Sequence, residues 1–260
     1  MIKRDQELVI RFLDEYNRVN QDSFKVIEWP EQTERNRPAV EAIAINQAGT
    51  SLAIEHTLLQ PFVGEKDDTQ RFRAIVDSIE KDLSVRLPGF MVSAFMQVGS
   101  VPKGVNWSEA GIVIREWLRA NIEIFPMQNS SHTVPGLPFE LRIDIHKTDL
   151  RDDAGKLFFS RYLPEDSFSD VMLKALSTKL PKLVATEADR HILVLEQDSL
   201  NQGYGDVCNC LKSVGSLFSE LDEVDEVWLI HSVAWGSENY LSFARVWPDL
   251  AFANVVKVEQ

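Results

Sequence analysis

Two apolar runs in the last third of the chain, Ile192-Leu193-Val194-Leu195 and Val227-Trp228-Leu229-Ile230, do most to limit what it can fold into. Each has the length of a short strand and is apolar at successive positions, so both of its faces need cover inside a layered core. The segment between them, from Asp206 to Leu221, is patterned as a helix. Both runs fall far short of the roughly 20 residues that cross a bilayer. The N-terminus, Met1-Ile2-Lys3-Arg4-Asp5-Gln6-Glu7, meets acidic residues at once and lacks the apolar stretch of a secretory signal. These features lead to the expectation of a cytoplasmic protein with no membrane segment.

The rest of the chain repeats the theme. Leu8, Ile10, Phe12, Leu13 and Tyr16 fall at roughly helical spacing over the first twenty residues. Phe24 to Trp29 predicts a short strand ended by Pro30, with a polar connection over 30–37. A second strand is expected at about 39–46. Gln47-Ala48-Gly49-Thr50 then supplies a tight turn into a return strand, Ser51 to Leu59. An amphipathic helix follows from Asp67 to Leu83, then a strand from Phe90 to Val98. A long helix over Trp107 to Phe125 has Ser108 as its expected N-cap. Asn129 to Pro138 is turn-rich, and Phe139 to His146 with Leu157 to Tyr162 is expected as another strand pair around a polar loop at Asp149 to Gly155. Ser167 to Leu180 predicts a helix that stops near Pro181, because an internal proline removes a backbone donor and clashes with the preceding turn. Helices alternating with short apolar strands, together with hairpins, predict a single α/β domain over residues 1–260, with a central mixed β-sheet flanked by helices.

Charge and cysteine content narrow the function classes. The net charge of −13 speaks against a protein that coats nucleic acid, since phosphate binding draws much of its free energy from Lys and Arg displacing counterions. That charge is uneven. Residues 187–226 hold ten acidic and two basic residues, whereas residues 1–186 hold 27 acidic and 23 basic, which leaves room for a local basic groove. Cys208 and Cys210 are spaced C-x-C in helix-patterned sequence, so they diverge around the axis and suit structural thiols better than a bridge or a metal site. Gly-rich phosphate loops, a GxSxG elbow and zinc-ligand spacings are absent from the sequence.

The chemistry concentrates in the first hairpin. Strand alternation places Glu41, Ile43 and Ile45 on one face and Ala53, Glu55 and Thr57 on one face of the returning strand. Two carboxylates joined by a short turn can meet at one site. Mg²⁺ prefers hard oxygen ligands and commonly takes one or two carboxylates plus water and substrate phosphate. Such a pair is chemically sufficient to anchor phosphodiester hydrolysis.

Arg37-Pro38-Ala39-Val40-Glu41, then Gly49, then Leu52-Ala53-Ile54-Glu55-His56-Thr57, resembles the acidic hairpin of PD-(D/E)xK, or restriction-endonuclease-like, proteins, and within them bacterial members with an AIEHT-type strand. The resemblance covers about residues 1–85, with the nuclease-like hairpin inside about 20–85. It implies an α-β-β-β-α-β layered core, Mg²⁺- or Mn²⁺-dependent hydrolysis of DNA, and metal ligands at Glu41 and Glu55. Two positions depart from the family pattern. Glu41 stands where aspartate is usual, with Ala39 at the other acid-capable place, and Thr57 stands where the pattern has lysine. Lys179, on the inward stripe Phe168, Met172, Ala175, Lys179, is the candidate to supply that charge. Lys66 is a second candidate, and Gln60 is suited to orienting water or phosphate but carries no charge.

The alternative is a catalytically inactive protein on the same fold, serving as a binding or assembly module for a protein partner. The aromatics Trp228, Trp235, Tyr240, Phe243 and Trp247, near the acidic block 220–226, are the sequence feature that favours it, although core burial explains most of them.

Overall fold

The computed structural model describes residues 4–33, 39–150, 154–163, 167–198, 202–235 and 238–258. The chain groups into two compact units, one made of residues 1–63 and 168–260, the other of residues 64–167.

Unit 1 begins with α1 (Arg4–Asn20), β1 (Lys25–Glu28), the one-turn α2 (Pro30–Thr33), β2 (Ala42–Ile45) and β3 (Ser51–Leu58). After the excursion into unit 2 it resumes with α5 (Ser167–Val184), β8 (Arg190–Gln197), α6 (Tyr204–Gly215), β9 (Glu226–Trp235), β10 (Glu238–Trp247) and β11 (Ala251–Val258). Its seven strands form one mixed sheet in the order β1-β2-β3-β8-β9-β10-β11. β1, β2 and β3 are an antiparallel meander, β3, β8 and β9 run parallel, and β9, β10 and β11 are antiparallel again.

Alternation assigns the two faces of this sheet. Leu52, Ile54, Ile192, Val194 and Trp228 pack with Phe12 and Tyr16 of α1, while Ala53, Leu193, Leu195 and Leu229 pack with Met172 and Leu176 of α5 and Leu211 of α6. The successive apolar residues of the run at 192–195 are thereby explained, since each neighbour in sequence enters a different core. Each fully buried Leu, Ile, Val or Phe contributes on the order of 1.5–3 kcal/mol, so covering both faces is what holds the layers together. Of the second-half aromatics, Trp228 and Phe243 are buried in the α1 core. Gly49 turns β2 into β3 at φ 87°, in the left-handed region, and its N–H donates to the Asn46 carbonyl at 3.1 Å.

Unit 2 contains α3 (Glu65–Lys81), β4 (Phe90–Gln97), α4 (Trp107–Asn121), β5 (Gln128–Thr133), β6 (Arg142–Asp149) and β7 (Lys156–Tyr162). Its sheet has the order β5-β6-β4-β7. Val92, Ala94, Met96, Ile143, Ile145, Leu157 and Phe159 face the core shared with Ile75 and Ile79 of α3 and Ile114 and Leu118 of α4. The chain is thus a layered α/β protein with a mixed central sheet, a second sheet and flanking helices. No described helix is long and apolar enough to cross a membrane.

Several local expectations are corrected. β6 and β7 are not a hairpin pair, because β4 lies between them and pairs antiparallel with β6 and parallel with β7. The turn-rich stretch contains a strand, β5, whose polar sequence QNSSHT carries no alternation of apolar residues. The N-cap of α4 is Asn106, which accepts from the Glu109 N–H, and Ser108 lies inside the helix. The helix expected to stop at Pro181 runs on to Val184. Proline forfeits one backbone bond there, but its own carbonyl still accepts from the Ala185 N–H at 3.2 Å, while Leu176, Leu180 and Leu183 stay buried on one stripe.

Candidate functional site

The β2–β3 register pairs Ala42 with Ile54 and Ile43 with Ala53, so Glu41, one residue before β2, comes opposite Glu55. Glu55 points to the α5 face with Ala53, and it is fully buried. The Glu41 N–H donates to Glu55 Oε2 at 3.2 Å. From α5, Lys179 Nζ donates to Glu55 Oε1 at 2.6 Å, and Lys182 Nζ lies 2.6 Å from the same oxygen. Lys182 Nζ also lies 4.0 Å from Glu31 Oε2.

Charge explains why these groups converge. A lone carboxylate without solvent is expensive, and two ammoniums with one backbone N–H offset the cost of burying Glu55. Burial pulls the Lys179 pKa down, but the charge of Glu55 and the hydrogen bond to it outweigh that and leave it raised. Glu41 is half-buried, and burial first, then a hydrogen bond and charge shared with Glu31, then the charge of Glu55, push its carboxyl up to about 7. The Glu31–Glu41 pair therefore holds a proton near neutral pH.

Glu41, Glu55 and Lys179, all three expected from the sequence, are brought together. Two further residues join them. From the sequence Lys182 reads, with Lys179, as the solvated end of a helix stopping near Pro181, and Glu31 was hidden because its one-turn helix resembles a polar loop. Thr57 and Gln60 line a small concavity of about 210 Å³ beside Lys179 and Thr178. Lys66 stands exposed in the first turn of α3. Arg37 and Pro38 of the family-like stretch lie outside the described residues. His56 belongs to the opposite face, where its Nε2 sits 3.2 Å from Glu196 Oε2. Glu196 Oε1 in turn receives Arg4 at 2.6 Å and the Ser232 hydroxyl at 2.5 Å. Cys208 is buried with its thiol directed at the Val246 carbonyl, 3.3 Å away, and burial raises its pKa.

No protein-family model and no curated protein matches the chain. The side chains themselves limit the chemistry. Among the described residues no group of three or more His, Cys, Asp or Glu is arranged to hold a metal ion. The donors fit a hard divalent cation held by one or two carboxylates, with water or phosphate as its other ligands, and not an all-protein cage. Glu31 and Glu41, whose charges oppose one another, are the carboxylates such a cation would meet. Glu55, by contrast, is already engaged at both oxygens.

Proposed function

We propose that unit 1 is a PD-(D/E)xK-type nuclease that hydrolyses DNA phosphodiester bonds with Mg²⁺ or Mn²⁺. One observation carries the reading: Glu41 meets Glu55 at the hairpin, and Lys179 reaches the same carboxylate from α5, supplying from a helix the cation that Thr57 lacks. Within unit 1, leaving aside the one-turn α2 and the residues of unit 2 inserted between β3 and α5, the order α1, β1, β2, β3, α5, β8, with β3 and β8 parallel, supports it as the order the resemblance implies.

In this reading Glu41 and Glu31 would hold the cation, with the Glu41 carboxyl ionised in the bound form. A bound cation supplies an activated water and offsets charge on the phosphoryl group. Glu55 holds the two ammoniums in place, so that Lys179 and Lys182 present positive charge where the phosphate would lie. The second reading, an inactive binding module on the same fold, is favoured by the full engagement of Glu55 and by the lack of a three-acid metal group among the described residues.

Nicking of supercoiled DNA separates the two. With Mg²⁺ or Mn²⁺ the purified protein nicks the DNA, and Glu41→Gln lowers the rate by about 10–100-fold, while circular dichroism shows the fold retained. Equal nicking by that variant assigns the activity to another site or a contaminant. No cleavage with either metal leaves the binding module.

A further inference from the structure

On the sheet of unit 2, the face opposite α3 and α4 carries a concavity of about 520 Å³. Its volume falls within the range of small-ligand pockets. Strand register builds it in rows. Ser131, Asp144 and Phe95 stand side by side across β5, β6 and β4, and Asn129, His146 and Ser93 form the next row. Tyr162 of β7 stacks on Phe95, with ring centroids 5.3 Å apart and 18° between the planes. One side of the concavity is therefore aromatic and the other polar.

The polar side mixes donors with acceptors. The Tyr162 hydroxyl hydrogen-bonds to Asp144, whose carboxylate also lies 3.5 Å from Arg142 Nε. Arg142 Nε donates to the Ser131 hydroxyl at 2.5 Å, which leaves that hydroxyl its own proton to donate. His146 Nδ1 lies 2.6 Å from Asn129 Oδ1, an atom that only accepts. The neutral imidazole thus donates from Nδ1 and accepts at Nε2, and the Asn129 amide nitrogen is a donor. Charge is balanced as well, since Arg142 faces Asp144. An anion would meet the carboxylate as a like charge, and a cation would meet the guanidinium.

A guest for such a lining is neutral, carries groups that both donate and accept, and has one apolar face. A sugar meets all three conditions. Each hydroxyl donates one hydrogen bond and accepts others, so neighbouring hydroxyls suit a wall where the two kinds of partner alternate. The C–H face of a pyranose carries slight positive charge, which the negative face of an aromatic ring attracts. We propose that this concavity binds a neutral sugar, its ring laid against Phe95 and its hydroxyls toward Asn129, Ser131, Asp144 and His146. Phe158, diagonal to Phe95 on β7 and 49% exposed, offers a second apolar surface for the next residue of a sugar chain. The site lies wholly in unit 2 and is independent of the nuclease reading.

Titration calorimetry of the full chain in EDTA tests it, with D-glucose, D-galactose, D-mannose and N-acetyl-D-glucosamine and a tetrasaccharide of each as probes. At least one probe binds saturably, and Phe95→Leu and Asp144→Asn each weaken that binding about tenfold. Both side chains stand on the open face, so the variants keep the circular dichroism of the parent. Asn129→Ala, at an exposed position, weakens binding in the same direction and guards against a folding defect in the other two. The 6-phosphate and the 2-amino derivative of the bound sugar bind no more tightly than the neutral parent. A tetrasaccharide that binds more tightly than its monosaccharide, with the gain lost in Phe158→Ser, identifies a glycan chain as the source, whereas equal affinity identifies a free sugar. Absence of saturable binding by every probe, tighter binding of a charged derivative, or full binding by the three variants overturns the proposal. None of these results touches metal-dependent nicking.

Discussion

Glu55 concentrates the energetics of unit 1 in a single side chain. With Lys179 or Lys182 replaced by methionine, one ammonium and the Glu41 N–H remain, so each single variant should lose on the order of 1–3 kcal/mol in urea titration. Removing both leaves a buried carboxylate without a counter-ion, and the double variant should lose more than the two single losses added. Additive losses would show that the lysines act independently of Glu55. In the nuclease reading each single variant also loses turnover in a folded protein, because the phosphate then meets one positive charge in place of two. Glu41, Glu55 and Lys179 were legible in the sequence because strand alternation and helical stripe spacing are local rules that survive folding. Glu31 was not, since its proximity to Glu41 depends on where a four-residue turn is placed by the chain around it.

α5 shows where a sequence rule meets a stronger tertiary term. Proline costs an interior helix roughly 3 kcal/mol in isolation, yet the helix continues because Leu180 and Leu183, on either side of it, are both fully buried. Two Leu side chains, at about 1.5–3 kcal/mol each, offset that cost or exceed it. Pro181→Ala restores the missing donor at an exposed position, and thermal melting should show a gain on the order of 1 kcal/mol, reduced from the isolated-helix figure by the greater freedom of the unfolded chain. A loss of stability would mean that the proline ring itself is packed. At the same scale, α1, β3, β8 and α3 were readable because their apolar periodicity is strong. β5 and the placement of β4 between β6 and β7 were not, since a polar strand has no apolar signal and strand order is set by long-range pairing.

Lys147 of β6 joins elements in another way. Its buried ammonium donates to the carbonyls of Ile122, Glu123 and Phe125, at 3.3, 3.0 and 3.1 Å, just beyond the end of α4. Cations favour the C-terminal end of a helix, and three carbonyls left without donors would be costly. Lys147→Met keeps the apolar stem and should lower stability by about 2 kcal/mol or more, read as a shift in the urea midpoint at unchanged slope. An unchanged midpoint would show that water replaces the ammonium at no cost.

For the whole molecule, the crowding of carboxylates makes stability depend on pH in a direction opposite to ordinary acid denaturation. Glu41 stays neutral in the folded protein up to about 7, whereas its ordinary value is 4.5. Between those values the folded state binds the extra proton, so stability falls as pH rises, and the full cost is present above the folded value. Glu196 acts the other way and elsewhere: burial opposes its ionisation, but hydrogen bonds from His56 and Ser232 and the charge of Arg4 hold its pKa below the ordinary value. Its contribution is present above that ordinary value and lost as pH falls through the lowered one, outside the Glu41 window. A series of melting curves from about pH 5 to about pH 8 carries the Glu41 contribution together with an opposing one from His231, whose pKa burial lowers, and Glu41→Gln should remove the fall in stability toward higher pH. In the nuclease reading Mg²⁺ or Mn²⁺ would take the place of the proton beside Glu31 and Glu41, so it should raise the melting temperature near pH 8 and have little effect near pH 5. Equal stabilisation of the wild type and Glu41→Gln would place the cation elsewhere, whether or not the protein cleaves DNA.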